Sequence, residues 1–293
     1  MSRLVHPYAS LTGGRWLRGN LHAHTNRSDG ARDCQSVIDD YAARGYDFLM
    51  LSDHDVYTSS DDLARFNARG MVLIPGNEIT AKGPHMLHVH ADRLLEPDPQ
   101  RQAVLNAAAN ARGLIIACHP NWYGNFDHCS LTRLMEWTGY TGVEIYNGVI
   151  GRLEGSPYAT NKWDMLLAAD RRLWGYANDD SHAAQGEVAL GWNMVYAADR
   201  SVQGIIEALQ AGRFYPSTGV TITNIHVDGR RIRVETEDAQ RIVALQQIAK
   251  RFAVVDDKSI EVEVPADATY VRFECWGRGE RFAWTQPFFI EAR

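Results

Sequence analysis

The chain is poor in the features that announce a compartment or a membrane. Its 293 residues hold only four cysteines, Cys34, Cys118, Cys129 and Cys275, with no CxxC pair and no disulfide-like spacing. They read as reduced thiols, which gives a cytoplasmic expectation. No unbroken apolar run approaches membrane-spanning length, so a membrane is not expected as a partner. The stretch MSRLVHPYAS lacks the apolar h-region of a secretory signal. Positive charge is not in excess: 30 Lys+Arg stand against 36 Asp+Glu, a formal net charge of -6. A nucleic-acid backbone is therefore not the expected main partner. Repeats and low-complexity tracts are absent, and no G-x-S-x-G elbow supports Ser-His-Asp catalysis. What is present is an ordinary globular composition, 45% hydrophobic and 23% charged, long enough for one large domain or one large plus one small. The informative feature is where the 11 histidines fall.

Short apolar segments recur, and they keep ending in ligand-type residues. GNLHAH spans 19–24, FLMLSDH 48–54, VLIPGNE 72–78 and HMLHVHA 85–91. LIIACHP (114–120), GVEIYN (142–147) and RLWGYANDDSH (172–182) follow. Runs that are apolar on both faces are what buried parallel strands look like. Helical patterns lie between them, at 34–44, 102–112, 162–169 and 201–211. The alternation predicts a βα barrel-like array with its reactive residues where the strands emerge. Beyond YPSTG (215–219) the pattern changes to short alternating segments, which predicts a small all-β domain over 219–293 after a barrel over 1–218. AQRIVALQQIAKRF (239–252) is compatible with a helix or with a strand pair.

His22 and His24 sit two apart, so in a strand both imidazoles point to one face, an arrangement suited to a metal. Asp29 follows in a turn-forming RSDG. Asp53-His54-Asp55, Glu78, His119 and Asp180-x-His182 each close an apolar run, where a carboxylate is costly unless paired or metal-bound. Each has a bland reading as a cap, a turn or a surface histidine. Their recurrence at successive strand ends points to one metal-binding rim.

This succession, H-x-H at 22–24, SDG at 28–30, SDH at 52–54, GNE at 76–78, CHP at 118–120 and DSH at 180–182, resembles the PHP (polymerase and histidinol phosphatase) superfamily of metal-dependent phosphoesterases. It covers roughly 15–218. WLRGNLHAHTNRSDG, GRFYPSTG and the ending YVRFECWG…AWTQPFFI look most like the CehA/McbA-type branch, which has a β-rich extension and includes a carbamate hydrolase. The resemblance implies a distorted (β/α)7 barrel with two or three divalent ions. His22 and His24 would hold one ion with Glu78 and Asp180. Glu78 would bridge to a second, held by His119 and one histidine of 85–90. Here His85 fits the family register and His88 is the alternative. Asp29, His54 and His182 would hold a third, with Asp29 standing where many relatives have histidine.

A mixed N/O donor set without thiolate suits Zn, Mn or Fe. Such ions would make hydroxide from bound water, with Glu78, Asp180 and His182 acting catalytically through the metals. The expected substrate is a small anion, foremost a phosphate ester, with a nucleic-acid fragment entering only as substrate. Arg27, Tyr123 and His128 are the candidate substrate contacts, with Trp122, Arg152 and Lys162 on the same loops. Asp53 and Asp55 are candidate orienting groups. The same hydroxide also suits a carbamate or carboxylic ester hydrolase. A non-catalytic binding module of this family is the third reading, and the complete ligand set weighs against it.

Overall fold

The computed structural model describes residues 3–9 and 11–291. The chain starts with β1 (Arg3–Val5) and β2 (Arg15–Asn20), and α1 (Cys34–Ala43) leads to β3 (Phe48–Met50). A short α2 (Ser60–Leu63) precedes β4 (Val72–Ile74), β5 (Gly76–Ile79) and β6 (Met86–Val89). Next come α3 (Arg101–Ala108), β7 (Leu114–Ala117), α4 (Leu131–Glu136) and β8 (Gly142–Asn147). A 3-10 turn (Val149–Arg152), α5 (Thr160–Ala168) and β9 (Trp174–Asn178) follow. β10 (Trp192–Ala197), α6 (Val202–Gln210) and β11 (Phe214–Ser217) complete this part.

Local chemistry explains the helices. In α1 the Asp33 side chain accepts from the Ser36 amide, and Val37, Ile38 and Tyr41 form the buried stripe. Gly45, at φ 76°, ends it in a backbone conformation that glycine adopts without penalty. Ser201 caps α6 in the same way.

Seven strands surround one interior. β5-β6-β7-β8-β9 form a five-stranded sheet, while β2 and β3 pair in parallel within a larger one. Two isolated parallel bridges join the sheets, Ala23 with Ser181 and His54 with Glu78. Leu17, Phe48, Met50, Leu87, Ile116 and Tyr176 fill the interior. β6 runs antiparallel to both neighbours, so it begins at the rim where β7, β8 and β9 end. The regular seven-fold βα alternation is not seen. Six α-helices occur among the described residues, and β5 joins β6 through the turn at 80–85 without a helix.

The remaining strands are β12 (Ile222–Asp228), β13 (Arg231–Thr236), β14 (Arg241–Gln246), β15 (Lys250–Val255) and β16 (Ser259–Glu263), then β17 (Tyr270–Trp276), β18 (Phe282–Trp284) and β19 (Phe288–Glu291). The segment 239–252 is the β14–β15 hairpin. Ile242–Gln246 is buried between β15 and β17, and Gln247, Ile248 and Ala249 turn the chain with positive φ. Sheet pairing continues across 218/219: β11 pairs with β18 and β1 with β19. Tyr270, Trp284 and Phe289 share one apolar cluster with Trp163 and Leu166 of α5. Among the described residues no helix is long and apolar enough to cross a membrane. The four cysteines are buried and unpaired.

Candidate metal centre

The parallel strands all deliver their C-terminal ends to one rim, and the ligand-type side chains meet there. His22 and His24 follow β2, His54 follows β3, His119 follows β7, and Asp180 and His182 follow β9. Glu78, on β5, is fully buried at the centre. Its Oε1 lies 3.3 Å from His22 Nε2, 3.1 Å from His85 Nδ1 and 3.4 Å from His119 Nε2. Its Oε2 lies 2.7 Å from His54 Nδ1 and 3.6 Å from His24 Nε2. Asp180 Oδ1 stands 3.0 Å from both His22 Nε2 and His24 Nε2. Asp29, half exposed at the mouth, lies 3.4 Å from His54 Nε2 and from His182 Nε2. Backbone strain marks two of these positions: His119 (φ 28°) and Asp180 (φ 57°) are left-handed although neither is glycine.

Strand direction separates His85 from His88. His85 sits just before β6, at its rim end, and reaches Glu78. His88 lies deeper on the strand and donates through Nε2 to the Arg112 carbonyl.

The surrounding charges act in opposed directions. Burial draws the His22 imidazole down, yet Asp180, Glu144 and Glu78 together push it well above its ordinary value. Burial raises Glu78, but the facing His22 and His85, with hydrogen bonds from His119 and His22, hold it well below the usual carboxylate range. His54 loses by burial and gains more from Glu78 and Asp29, ending at about 8.

Glu144 on β8 is the residue that sequence reasoning missed. Its carboxylate accepts from His22 Nδ1 at 2.8 Å, from the His119 amide at 2.9 Å and from Asn178 and Asn147. It thereby fixes the His22 tautomer whose Nε2 faces Glu78 and Asp180. A lone glutamate inside the apolar run GVEIYN was its only signal in the sequence.

Other candidates take different places. The Arg27 guanidinium donates to Thr58 Oγ1 at 2.8 Å and does not line the cavity over the cluster. Tyr123 stacks on Trp122 at a centroid distance of 4.4 Å. His128 packs against His85 and His119, and its Nε2 accepts from the His85 amide at 2.9 Å. Burial first, and then the adjacent His119 and His85, push His128 down to about 2, so it stays neutral. Lys162 is buried and donates to the Pro120, Phe126 and Cys129 carbonyls, stapling that loop. Asp53 holds Thr25 and Ser28, and Asp55 holds Thr80 and Ala81; each anchors a rim loop.

Divalent ions fit this donor set. His22 Nε2, His24 Nε2, His54 Nδ1, Glu78 Oε2 and Asp180 Oδ1 are buried atoms that face one another from five side chains and have no hydrogen-bond partner outside the cluster. Buried polar atoms are rarely left unpaired, and converging N and O lone pairs are what a divalent ion satisfies. The groups close enough to share an ion include His22–His24–Asp180, His54–Glu78–His85 and His24–Asp29–His54–His182, and also His22–Glu78–Cys118–His119 and His85–His119–His128. Every member precedes Gly219.

No family model and no curated protein matches the chain. Among solved structures it is similar to a two-domain protein from Bacteroides vulgatus containing a predicted PHP-like metal-dependent phosphoesterase. The match covers 98% of this chain and 90% of that one, at 18% identity and a TM-score of 0.55. The two share a fold. An amidohydrolase from Chromobacterium violaceum matches 58% of this chain and 89% of its own, at 17% identity and a TM-score of 0.39. A proposed metal-dependent phosphoesterase from Bifidobacterium adolescentis also matches 58%, and 88% of its own, at 17% and 0.41.

Proposed function

We propose that this protein is a metal-dependent hydrolase acting on small phosphoric esters, with two or three divalent ions of the Zn, Mn or Fe type held at the barrel rim. The observation that carries the reading is Glu78: one buried carboxylate within reach of imidazoles from all three sets, His22 and His24, His85 and His119, and His54. That is the disposition of a bridging ligand between two ions. His22, His24 and Asp180 would hold one ion, His85 and His119 a second, and Asp29, His54 and His182 a third. Bound there, the ions supply Lewis acidity and a water acidified toward neutral pH.

The chain's own residues do the rest. Glu144 and the Asp180 carbonyl accept hydrogen bonds from Nδ1–H of His22 and His182, leaving Nε2 of each free to face a metal. His128 holds the His85 backbone in place through its amide. Loops anchored by Asp53 and Asp55 keep Asp29 and the turn following Glu78 against the cluster. The seven-strand ring supports the distorted (β/α)7 barrel as the matching architecture, and the likeness to the CehA/McbA-type branch belongs to the same proposal. In this reading the barrel over 1–218 carries the site, while 219–293 packs beside it without supplying a ligand.

The test is elemental analysis of the purified protein, followed by assay of the metal-loaded form on phosphate monoesters, phosphodiesters and aryl carbamates. Bound divalent metal with phosphoester turnover is the expected result. Turnover of carbamates alone would overturn the phosphoester reading, and absence of bound metal would overturn the hydrolase reading altogether.

A further inference from the structure

The cavity above the cluster has two unlike walls. One is formed by the ligand-type residues, including His54, His119 and Asp180. The other consists of Trp122, Val149, Ile150 and Leu153, with Arg152 beside them. Arg152 is the one Lys or Arg among the described lining residues, and it is already ion-paired with the buried Glu187. The volume, about 270 Å³, lies near the lower end of small-molecule sites.

The apolar wall is built deliberately. Two loops, 121–129 and 148–157, are tied together by a Trp122–Gly155 bridge and by the Tyr123 amide donating to the Glu154 carbonyl at 3.2 Å. Buried Lys162 staples the first loop from below. The pair then presents large apolar side chains to solvent: Leu153 is 49% exposed, Phe126 51% and Tyr123 44%. Tyr123 (φ 74°) and Phe126 (φ 56°) are left-handed although neither is glycine. Of the three exposed side chains, Leu153 lines the cavity and Tyr123 stacks on the lining Trp122, so exposed apolar surface on strained, stapled loops adjoins the cavity and marks a binding surface rather than a packing defect.

From these walls we infer the substrate class: an ester whose organic group is compact and apolar, aryl or short alkyl, with no second charged group. The inference rests on the phosphoester reading above. The ions would take the anionic end, and the organic group would lie on Trp122, Ile150 and Leu153. A second phosphate or carboxylate would meet no free cation there and would face Asp29 at the mouth. Sugar phosphates and nucleotides, whose hydroxyls need hydrogen-bond partners, would find a wall unable to supply them.

Binding and turnover test this together. Calorimetry of the metal-loaded protein compares phenylphosphonate with methylphosphonate. Kinetics compares benzyl phosphate with glycerol phosphate, whose leaving alcohols are of similar basicity. The expected result is a preference for the apolar member of about tenfold or more in both, carried mainly by KM in the kinetics. Leu153→Asn, at a half-exposed position that tolerates a polar side chain, should cut that preference by about fivefold or more, with metal content measured alongside; Val149→Thr provides a second, isosteric probe of the same wall. Equal affinity for the two phosphonates, or a selectivity unchanged in both variants, would overturn the inference and leave the phosphoester reading standing. If the metal-loaded protein hydrolyses neither phosphate ester, the reading itself fails and this inference with it.

Discussion

Glu78 is fully buried and is held ionised by the imidazoles around it. Glu78→Gln keeps the volume but removes one charge and an anionic donor that faces both halves of the cluster. We expect loss of at least one ion per chain and a fall in turnover greater than the ~10–100-fold typical of losing an outer-shell partner. Elemental analysis and turnover read this out, with His226→Ala, an exposed strand position, as comparison. Full metal content and near-parental turnover in Glu78→Gln would rule out a bridging role. The fold should survive, because the apolar interior lies below the rim. Several site residues were legible at this scale because their signal is local, an apolar run and then a ligand type. Glu144 was not, and His128 was legible only as a candidate substrate contact. The place of each depends on distant segments that bring it against His22, His85 or His119.

At the scale of elements, the contact between α5 and β17 is the most consequential. Arg272 Nε and Nη2 reach Asp164 Oδ1 and Oδ2 at 2.8 and 2.6 Å, and Tyr270 donates to the same carboxylate at 2.9 Å. Both charged groups are buried, so removing one leaves the other uncompensated. Arg272→Ala should cost about 3–5 kcal/mol. Arg272→Met combined with Asp164→Leu should cost less, because the only charge that loses its partner is then Glu274, which is partly exposed. Urea unfolding of the two variants decides it, and equal losses would show that the pair acts only by packing.

β6 carries the pH-sensitive group of this scale. Burial lowers His88, whose Nε2–H bonds the Arg112 carbonyl. The unfolded chain therefore binds a proton near the ordinary pH 6.5 while the folded one resists it. His88 thus contributes stability that is present above about pH 6.5 and lost as pH falls below it. Melting temperature should drop more steeply from pH 7 to pH 5 in the parent than in His88→Gln, which keeps a donor for the carbonyl but cannot be protonated. Parallel curves would contradict this.

For the whole molecule, ions that bind only the folded rim must stabilise it. At a free concentration a thousandfold above Kd, one site adds about 4 kcal/mol. Chelation should then lower the melting temperature by on the order of 10 °C, given about 2–4 °C per kcal/mol for large domains, and adding back Zn or Mn should restore it. An unchanged melting temperature after verified metal removal would mean that the native rim does not hold ions tightly. The unit that melts should include the C-terminal strands, because β11 pairs with β18, β1 with β19, and Tyr270 and Trp284 sit in the same core as α5.

The amino-acid order alone determined that His22, His24, His54, Glu78, His119 and Asp180 would lie at or near strand ends, because apolar runs become buried strands and polar ligands must stop them. It likewise determined the helical patterns at 34–44 and 201–211, which became α1 and α6. Tertiary structure decided the rest. The direction of β6 put His85, and not His88, beside Glu78, since an antiparallel strand brings its start, not its end, to the rim. The neighbours of 239–252 made it a hairpin: its first strand, β14, is buried between β15 and β17, and helical propensity cannot compete with ladder bonds on both sides. Arg27 turned to Thr58 and Lys162 to three carbonyls, because a cation goes to whichever oxygens the fold leaves within reach. Those choices depend on contacts between residues tens to hundreds of positions apart, which no local pattern encodes.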